Sequence, residues 1–274
     1  MKTLNQDIED HYYKEELYED IISRLMEQDI DLDKVSRTDL SGVDEFHVRG
    51  AAVSSELASS INMQGATVLD VGCGLGGPCR MLADEYGCKT SGIDLSNEYI
   101  RTATKLSKLV HLDNRTNFVQ GDAIKLPFDD HSFDVVWTQH VQMNIPDKDT
   151  FYSEINRVLK PGGHFLFYDI LKKGDATISY PMPWASTQDQ SFLFKASEMD
   201  VILKKLGLTE VQSTNQTTAG VEFLDALAAR LEKNGPPKMG LNVLMGATTK
   251  PKLMNLRSYL KEGKLELISG VYKK

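Results

Sequence analysis

Between residues 68 and 170, short apolar runs alternate with amphipathic stretches, and this alternation restricts the fold more than any other feature. The runs are VLDV, TSGID, TNFVQGD, FDVVWTQ and HFLFYDIL, and helical spacing predicts helices over residues 78–86, 97–109 and the segment FYSEINRVL. Strand followed by helix, repeated, predicts a parallel sheet with crossover helices, an α/β architecture. Such sheets bind ligands beyond the carboxyl ends of their strands, so the residues closing each run are the first site candidates. Upstream, Leu17, Ile21, Ile22 and Leu25, and then Val53, Leu57 and Ile61, repeat at helical spacing around a polar connector. We therefore expect an N-terminal helical lid or extension over residues 1–60 and a main domain over 61–274. Beyond Leu171 the rhythm breaks at KKGDATISYPMPWASTQDQSFLF, which predicts a substrate-pocket insertion at about 172–196. A helix near 197–206, a strand near 208–213, further helices within about 221–262 and a closing strand follow.

Composition narrows the partners. With 31 Lys plus Arg against 39 Asp plus Glu, the net charge of -8 argues against nucleic acid. Residues 1–60 carry fifteen acids against six bases. Solvated faces account for this asymmetry, and an acidic entrance for a cationic substrate is the functional alternative. Cys73, Cys79 and Cys88 are odd in number and lack C-x-x-C spacing, so neither a disulfide framework nor a metal site is expected. The opening MKTLNQDIEDHYYKEEL lacks a signal-peptide core, and no apolar run reaches about 18 residues. The expectation is a cytoplasmic chain without membrane insertion, free to form a homodimer.

The first run continues as VLDVGCGLGG, whose glycines fit two templates. Gly72, Gly74 and Gly77 match the G-x-G-x-x-G of dinucleotide enzymes; Gly72, Gly74 and Gly76 match the G-x-G-x-G of methyltransferases. A dinucleotide brings a pyrophosphate, which suits a helix N-terminus but is repelled by a carboxylate. S-adenosylmethionine has no phosphate and carries an ammonium that Asp70 can hold. A turn-capping Asp70 is the bland alternative. Asp94 closes the second run where an acid accepts ribose hydroxyls under either template. Asp122 closes the third, where an adenine amino group needs an acceptor and a dinucleotide needs nothing.

With VLDVGCGLGG, GIDLS, GDAIKLPFDDHSFDVV, WTQHVQMNI and RVLKPGG in this order, the chain resembles the class I S-adenosylmethionine-dependent methyltransferases, small-molecule branch, across roughly residues 65–170. That branch includes sarcosine/dimethylglycine, sugar and ubiquinone-type methyltransferases. The resemblance implies a Rossmann-like seven-stranded sheet of order 3-2-1-4-5-7-6 with its last strand antiparallel. It also implies S-adenosyl-L-methionine as cofactor. Asp70, Gly72, Cys73, Gly74 and Gly76 then line the methionine end, Asp94 and Leu95 hold ribose and adenine, Asp122 and Ala123 meet the adenine edge, and Gln139 touches the methionine moiety.

In-line methyl transfer needs no protein nucleophile, so positioning and a well-placed base carry the chemistry. His140, following Gln139 at a strand end, is the first candidate base, with a backbone-bonded structural histidine as the competing reading. Asp169, closing HFLFYD, is the second, because related sugar methyltransferases place an acid near there. Where some members show histidine, this chain has Met143 and Asn144, and both are expected on the acceptor wall. Tyr12, Tyr13 and Tyr18, with Tyr180, Trp184, Phe192 and Phe194, are candidates for an aromatic acceptor pocket, core packing being the alternative for each. Arg49 and His47 could clamp a carboxylate, and a surface ion pair is the competing role for Arg49. The expected activity is N- or O-methylation of a small-molecule acceptor. A nicotinamide-dependent oxidoreductase and a catalytically silent cofactor-binding module are the rivals.

Overall fold

The structure is a computed structural model that describes residues 3–274; residues 1 and 2 of the expected extension lie outside the described residues. The described N-terminal stretch carries α1 (Leu4–Tyr12), α2 (Leu17–Met26), a single-turn α3 (Ser41–Asp44) and α4 (Ala51–Ala58). Then come β1 (Thr67–Val71), α5 (Gly77–Tyr86), β2 (Lys89–Asp94), α6 (Asn97–Leu109), β3 (Thr116–Gln120), β4 (Phe133–Gln139), α7 (Lys148–Val158) and β5 (Leu159–Lys172). The chain ends with α8 (Ala196–Lys205), β6 (Thr209–Asn215), α9 (Thr217–Asn234), a short α10 (Asn242–Met245), α11 (Thr249–Lys261) and β7 (Leu265–Lys273).

The seven strands form one sheet in the order β3-β2-β1-β4-β5-β7-β6, as expected. Strands β1 to β5 pair in parallel, and β7 runs antiparallel to both β5 and β6. The period-2 geometry of β5 shows why both faces must be covered. Phe165 and Phe167 pack into one apolar cluster, while Leu166, Tyr168 and Ile170 pack into the cluster on the opposite face. The KPGG segment, which by composition would read as a turn, is absorbed into β5, which starts at Leu159.

One detail differs from the helical reading of the first residues. Tyr12 ends α1, Tyr18 belongs to α2, and Tyr13 falls in the break between them. A capping box from Thr3 to Gln6 fixes the start of α1. The polar connector is pinned to the main domain by a fully buried ion pair, Arg80 Nη2 to Asp44 Oδ1 at 2.5 Å, and the same nitrogen donates to the Leu75 carbonyl at 2.7 Å. Gly77 opens α5 against this connector, since a Cβ there would lie 2.1 Å from the Asp44 carbonyl oxygen. The third glycine of the dinucleotide template is thus explained by close packing. Among the described residues, no helix is long and apolar enough to cross a membrane.

Candidate active site

At the carboxyl ends of β1 to β4 a cavity opens whose floor is the glycine turn and whose roof is α1. Gly72 (φ +75°) turns the chain off β1, and any Cβ there would lie 2.4 Å from Val141 Cγ2. Gly74 (φ +53°) has nothing within 4 Å of its missing Cβ and so presents bare backbone. Asp70, Gly72, Cys73, Gly74, Asp94, Leu95, Asp122, Ala123 and Gln139 all line this cavity. Gly76 does not line it; with φ +78° it completes the turn into α5, against Phe118.

Each carboxylate sits in a different environment. Asp70 is buried, with one weak partner, the Cys79 thiol at 3.6 Å. Burial pushes its carboxyl up to about 7; Asp94 adds to the rise and the thiol opposes it. Asp94 accepts the Gly74 amide at 3.0 Å and the Ser96 amide at 2.9 Å, and burial raises its pKa against those two bonds. Asp122 accepts the Ile124 amide at 3.1 Å and, from α1, the Asn5 side-chain amide at 2.7 Å. Gln139 receives Trp137 Nε1 at 2.9 Å on its oxygen, while its own buried amide nitrogen has no partner. An undercompensated carboxylate and an orphaned donor facing one cavity fit the ammonium and carboxylate of a bound methionine end.

A second cavity adjoins the first and shares Tyr12, Phe46, His47 and His140 with it. Met143, Ile170 and Trp184 form one wall, and Phe223, Leu224, Leu227, Met245, Leu253 and Leu256 from the C-terminal helices form the other. Among the described residues, no Asp, Glu, Lys or Arg lines it. Asn144, which lines the cofactor cavity, ties the pieces together: it accepts the Tyr12 hydroxyl at 3.1 Å and donates to the carbonyls of Trp184 at 2.8 Å and Gln190 at 3.0 Å. His11 lies within 3.1 Å of both Ser186 Oγ and the Pro183 carbonyl, so α1 rests on the insertion as well as on the sheet.

The two candidate bases part company. His140 (φ +53°) lines both cavities, stacks on Tyr168 at 4.9 Å, and has a buried Nε2 without a partner. Asp169 lines neither cavity: it is buried and accepts the Val141 amide at 3.0 Å, holding the loop that carries His140. Burial raises its carboxyl to about 8.

Six candidate acceptor residues, Tyr13, Tyr18, Tyr180, Phe192, Phe194 and Arg49, also stand outside both cavities. Tyr13 is 59% exposed, because the break between α1 and α2 turns it to solvent. Tyr18 packs beneath the Lys105 ammonium at 4.6 Å. Tyr180 packs against the core from the insertion. Arg49 takes the surface-pair role, with Nη2 2.6 Å from Glu56 and Nη1 2.9 Å from Gln216.

The sheet order, the glycine turn and acids at three successive strand tips together define the class I S-adenosylmethionine-dependent methyltransferase domain, whose cofactor is S-adenosylmethionine. Residues 69–167 match the family described as "Methyltransferase domain". Over 171 residues the chain is 36% identical to phosphoethanolamine N-methyltransferase 2 of Caenorhabditis elegans, covering 62% of this chain and 38% of that protein. It is 42% identical over 114 residues to 2-methyl-6-phytyl-1,4-hydroquinone methyltransferase of Synechocystis, covering 42% of this chain and 35% of that protein. The chain therefore spans little more than a third of the length of these relatives. In fold it is similar to phosphoethanolamine N-methyltransferase 2 of Haemonchus contortus in complex with S-adenosyl-L-methionine, with a TM-score of 0.78 at 22% identity over 100% of this chain and 60% of that one.

Proposed function

We propose that the chain transfers the methyl group of S-adenosylmethionine to a nitrogen or oxygen of a small acceptor whose body is apolar and uncharged. The observation that carries this reading is the shared wall: the cofactor cavity opens through Tyr12, Phe46, His47 and His140 into a chamber that, among the described residues, has no Asp, Glu, Lys or Arg in its lining. A phosphate or carboxylate placed in that chamber would lose its hydration without gaining a counter-charge, at a cost of several kcal/mol per ion. The name of the hydroquinone relative describes an acceptor with an apolar body, and the chamber suits that chemistry better than the phosphobase in the name of the other relative.

When bound, S-adenosylmethionine supplies a methyl group activated by its sulfonium. Asp70 holds the ammonium, Gln139 donates to the methionine end, Asp94 orients the ribose, and Asp122 accepts from the adenine. His140, through its unpartnered Nε2, orients the polar atom of the acceptor, and Asp169 positions the loop behind it. We place residues 1–60 as a lid because Asn5, Ile8, Glu9 and Tyr12 roof the cofactor cavity. Closing it excludes water from the transfer.

Incubation with methyl-labelled cofactor and a cell extract split into organic-soluble and aqueous fractions tests this reading. Label is expected in the organic-soluble fraction. Label confined to phosphorylated or zwitterionic metabolites would overturn the proposed acceptor class, and no label in either fraction would overturn the activity.

A further inference from the structure

We propose that His47 is the base that takes the acceptor's proton, with Glu45 and Ser54 as its positioning residues. The proposal rests on the methyl-transfer reading above. The His47 ring forms part of the wall between the two cavities, where an acceptor atom facing the cofactor must sit. Its Nε2 is 3.1 Å from Glu45 Oε2 and 3.0 Å from Ser54 Oγ, and Ser54 Oγ donates to Glu45 at 3.0 Å. All three residues are buried. With Nε2–H directed at an ionised Glu45, the lone pair of the ring resides on Nδ1.

His140 shares the wall but not this equipment. Its ring meets the His47 ring edge-on at 6.0 Å, its Nε2 has no partner, and burial with the neighbouring His47 holds its pKa well below the ordinary value. A proton on His140 would be an uncompensated buried charge. A proton on His47 faces a carboxylate, the arrangement by which a histidine base is oriented and its cation stabilised. In the step itself the acceptor's X–H bond breaks, its electron pair stays on X as the attacking lone pair, and the proton bonds to Nδ1. The resulting imidazolium is balanced by the Glu45 carboxylate and returns its proton to solvent after the product leaves.

The same geometry sets a pH requirement. Burial, with Asp44 adding to it, raises Glu45 to about 8 against opposing effects from Ser54, Arg37 and Arg80. Burial lowers His47 to about 3 as it lowers His140, so what separates the two rings is the carboxylate beside His47, whose ring faces those of His140 and Tyr168. Below about 8 the neutral Glu45 acid donates to Nε2 and the ring proton moves to Nδ1; above it Nδ1 is bare.

The test is nitrogen NMR of the full chain labelled at histidine, with S-adenosylhomocysteine bound, across pH 6–9.5. It is paired with turnover of the organic-soluble extract by methyl-labelled cofactor. For His47 we expect Nδ1–H at low pH, Nε2–H at pH 9, and a turnover that rises through the same range. Glu45→Gln should abolish both the tautomer switch and the rise. His47→Asn should lower turnover at least about a hundredfold while S-adenosylhomocysteine affinity stays within twofold. A bare Nε2 at pH 9, or undiminished turnover in His47→Asn, overturns the proposal, and the wild-type spectra decide it even where a variant fails to fold. Failure of the wild type to bind S-adenosylhomocysteine would instead remove the methyl-transfer reading beneath it.

Discussion

The cofactor cavity and the acceptor chamber meet at four residues, yet they are built in opposite ways. The cofactor cavity draws its key polar groups from strand tips within residues 70–139, each fixed by parallel pairing and by the glycine turn. The acceptor chamber is assembled from segments more than 200 residues apart, from Tyr12 on α1 to Leu256 on α11, and its lining is almost wholly apolar. Directional chemistry needs exact donors and acceptors held by rigid strands; apolar recognition needs shape, which amphipathic helices supply by facing inward. The difference teaches that cofactor use is written into the sheet, while on the proposed function acceptor choice is written into what is laid over it.

The largest expected effect comes from breaking the seam between the two regions. Arg80→Met leaves Asp44 buried and unpaired and should cost about 3–5 kcal/mol of stability by urea unfolding. An ordinary surface-pair loss, under about 1 kcal/mol, would show that the connector is not locked.

Next, Asp70→Asn should weaken S-adenosylhomocysteine binding by about 1.5–3 kcal/mol, roughly tenfold to a hundredfold, by removing a charge-assisted bond to the ammonium. Calorimetry on this variant and on Phe223→Ala separates the regions. The second change, at the 36% exposed rim of the chamber, should reduce acceptor kcat/KM about fivefold and leave cofactor affinity unchanged.

Protonation offers a finer probe. Because burial raises Asp70 to about 7, binding an ammonium must ionise it and release a proton at pH 6–7. Binding enthalpies measured near pH 6.5 in buffers of different ionisation heat should reveal that release, which vanishes near pH 9 and in Asp70→Asn. The stability sign runs the same way. The folded pKa lies above the ordinary carboxylate value of 3.8, so Asp70 favours folding below that value and loses its contribution as pH rises to about 7. The smallest effect belongs to Asn5→Ala. By freeing Asp122 from its bond to α1, it should tighten S-adenosylhomocysteine binding by about 1 kcal/mol or less in the same titration.

Legibility in the sequence follows the same division. Strand order came from the family resemblance, and strand placement from the alternation of periods, because a buried parallel strand and its crossover helix each leave a local pattern. Asp70, Asp94 and Asp122 were readable because each closes an apolar run at a sheet edge where ligands bind. Phe223, Leu227 and Met245 were not, since the apolar face of a helix reads identically whether it covers a core or a chamber. Glu45 was hidden among the acids of residues 1–60, and only folding showed it buried beside His47. Tyr13 and Tyr18 failed as pocket residues for a local reason: a break in a helix of this length rotates the face that its neighbours suggest.

The most direct test of the account is a calorimetric titration of the wild-type chain with S-adenosylhomocysteine and, separately, with NADH. Saturable heat with the adenosyl-sulfur ligand and none with the dinucleotide is the predicted result. Tight NADH binding with no response to S-adenosylhomocysteine would contradict it, because acids at the tips of β1 and β3 should favour an ammonium and an adenine amino group over a pyrophosphate.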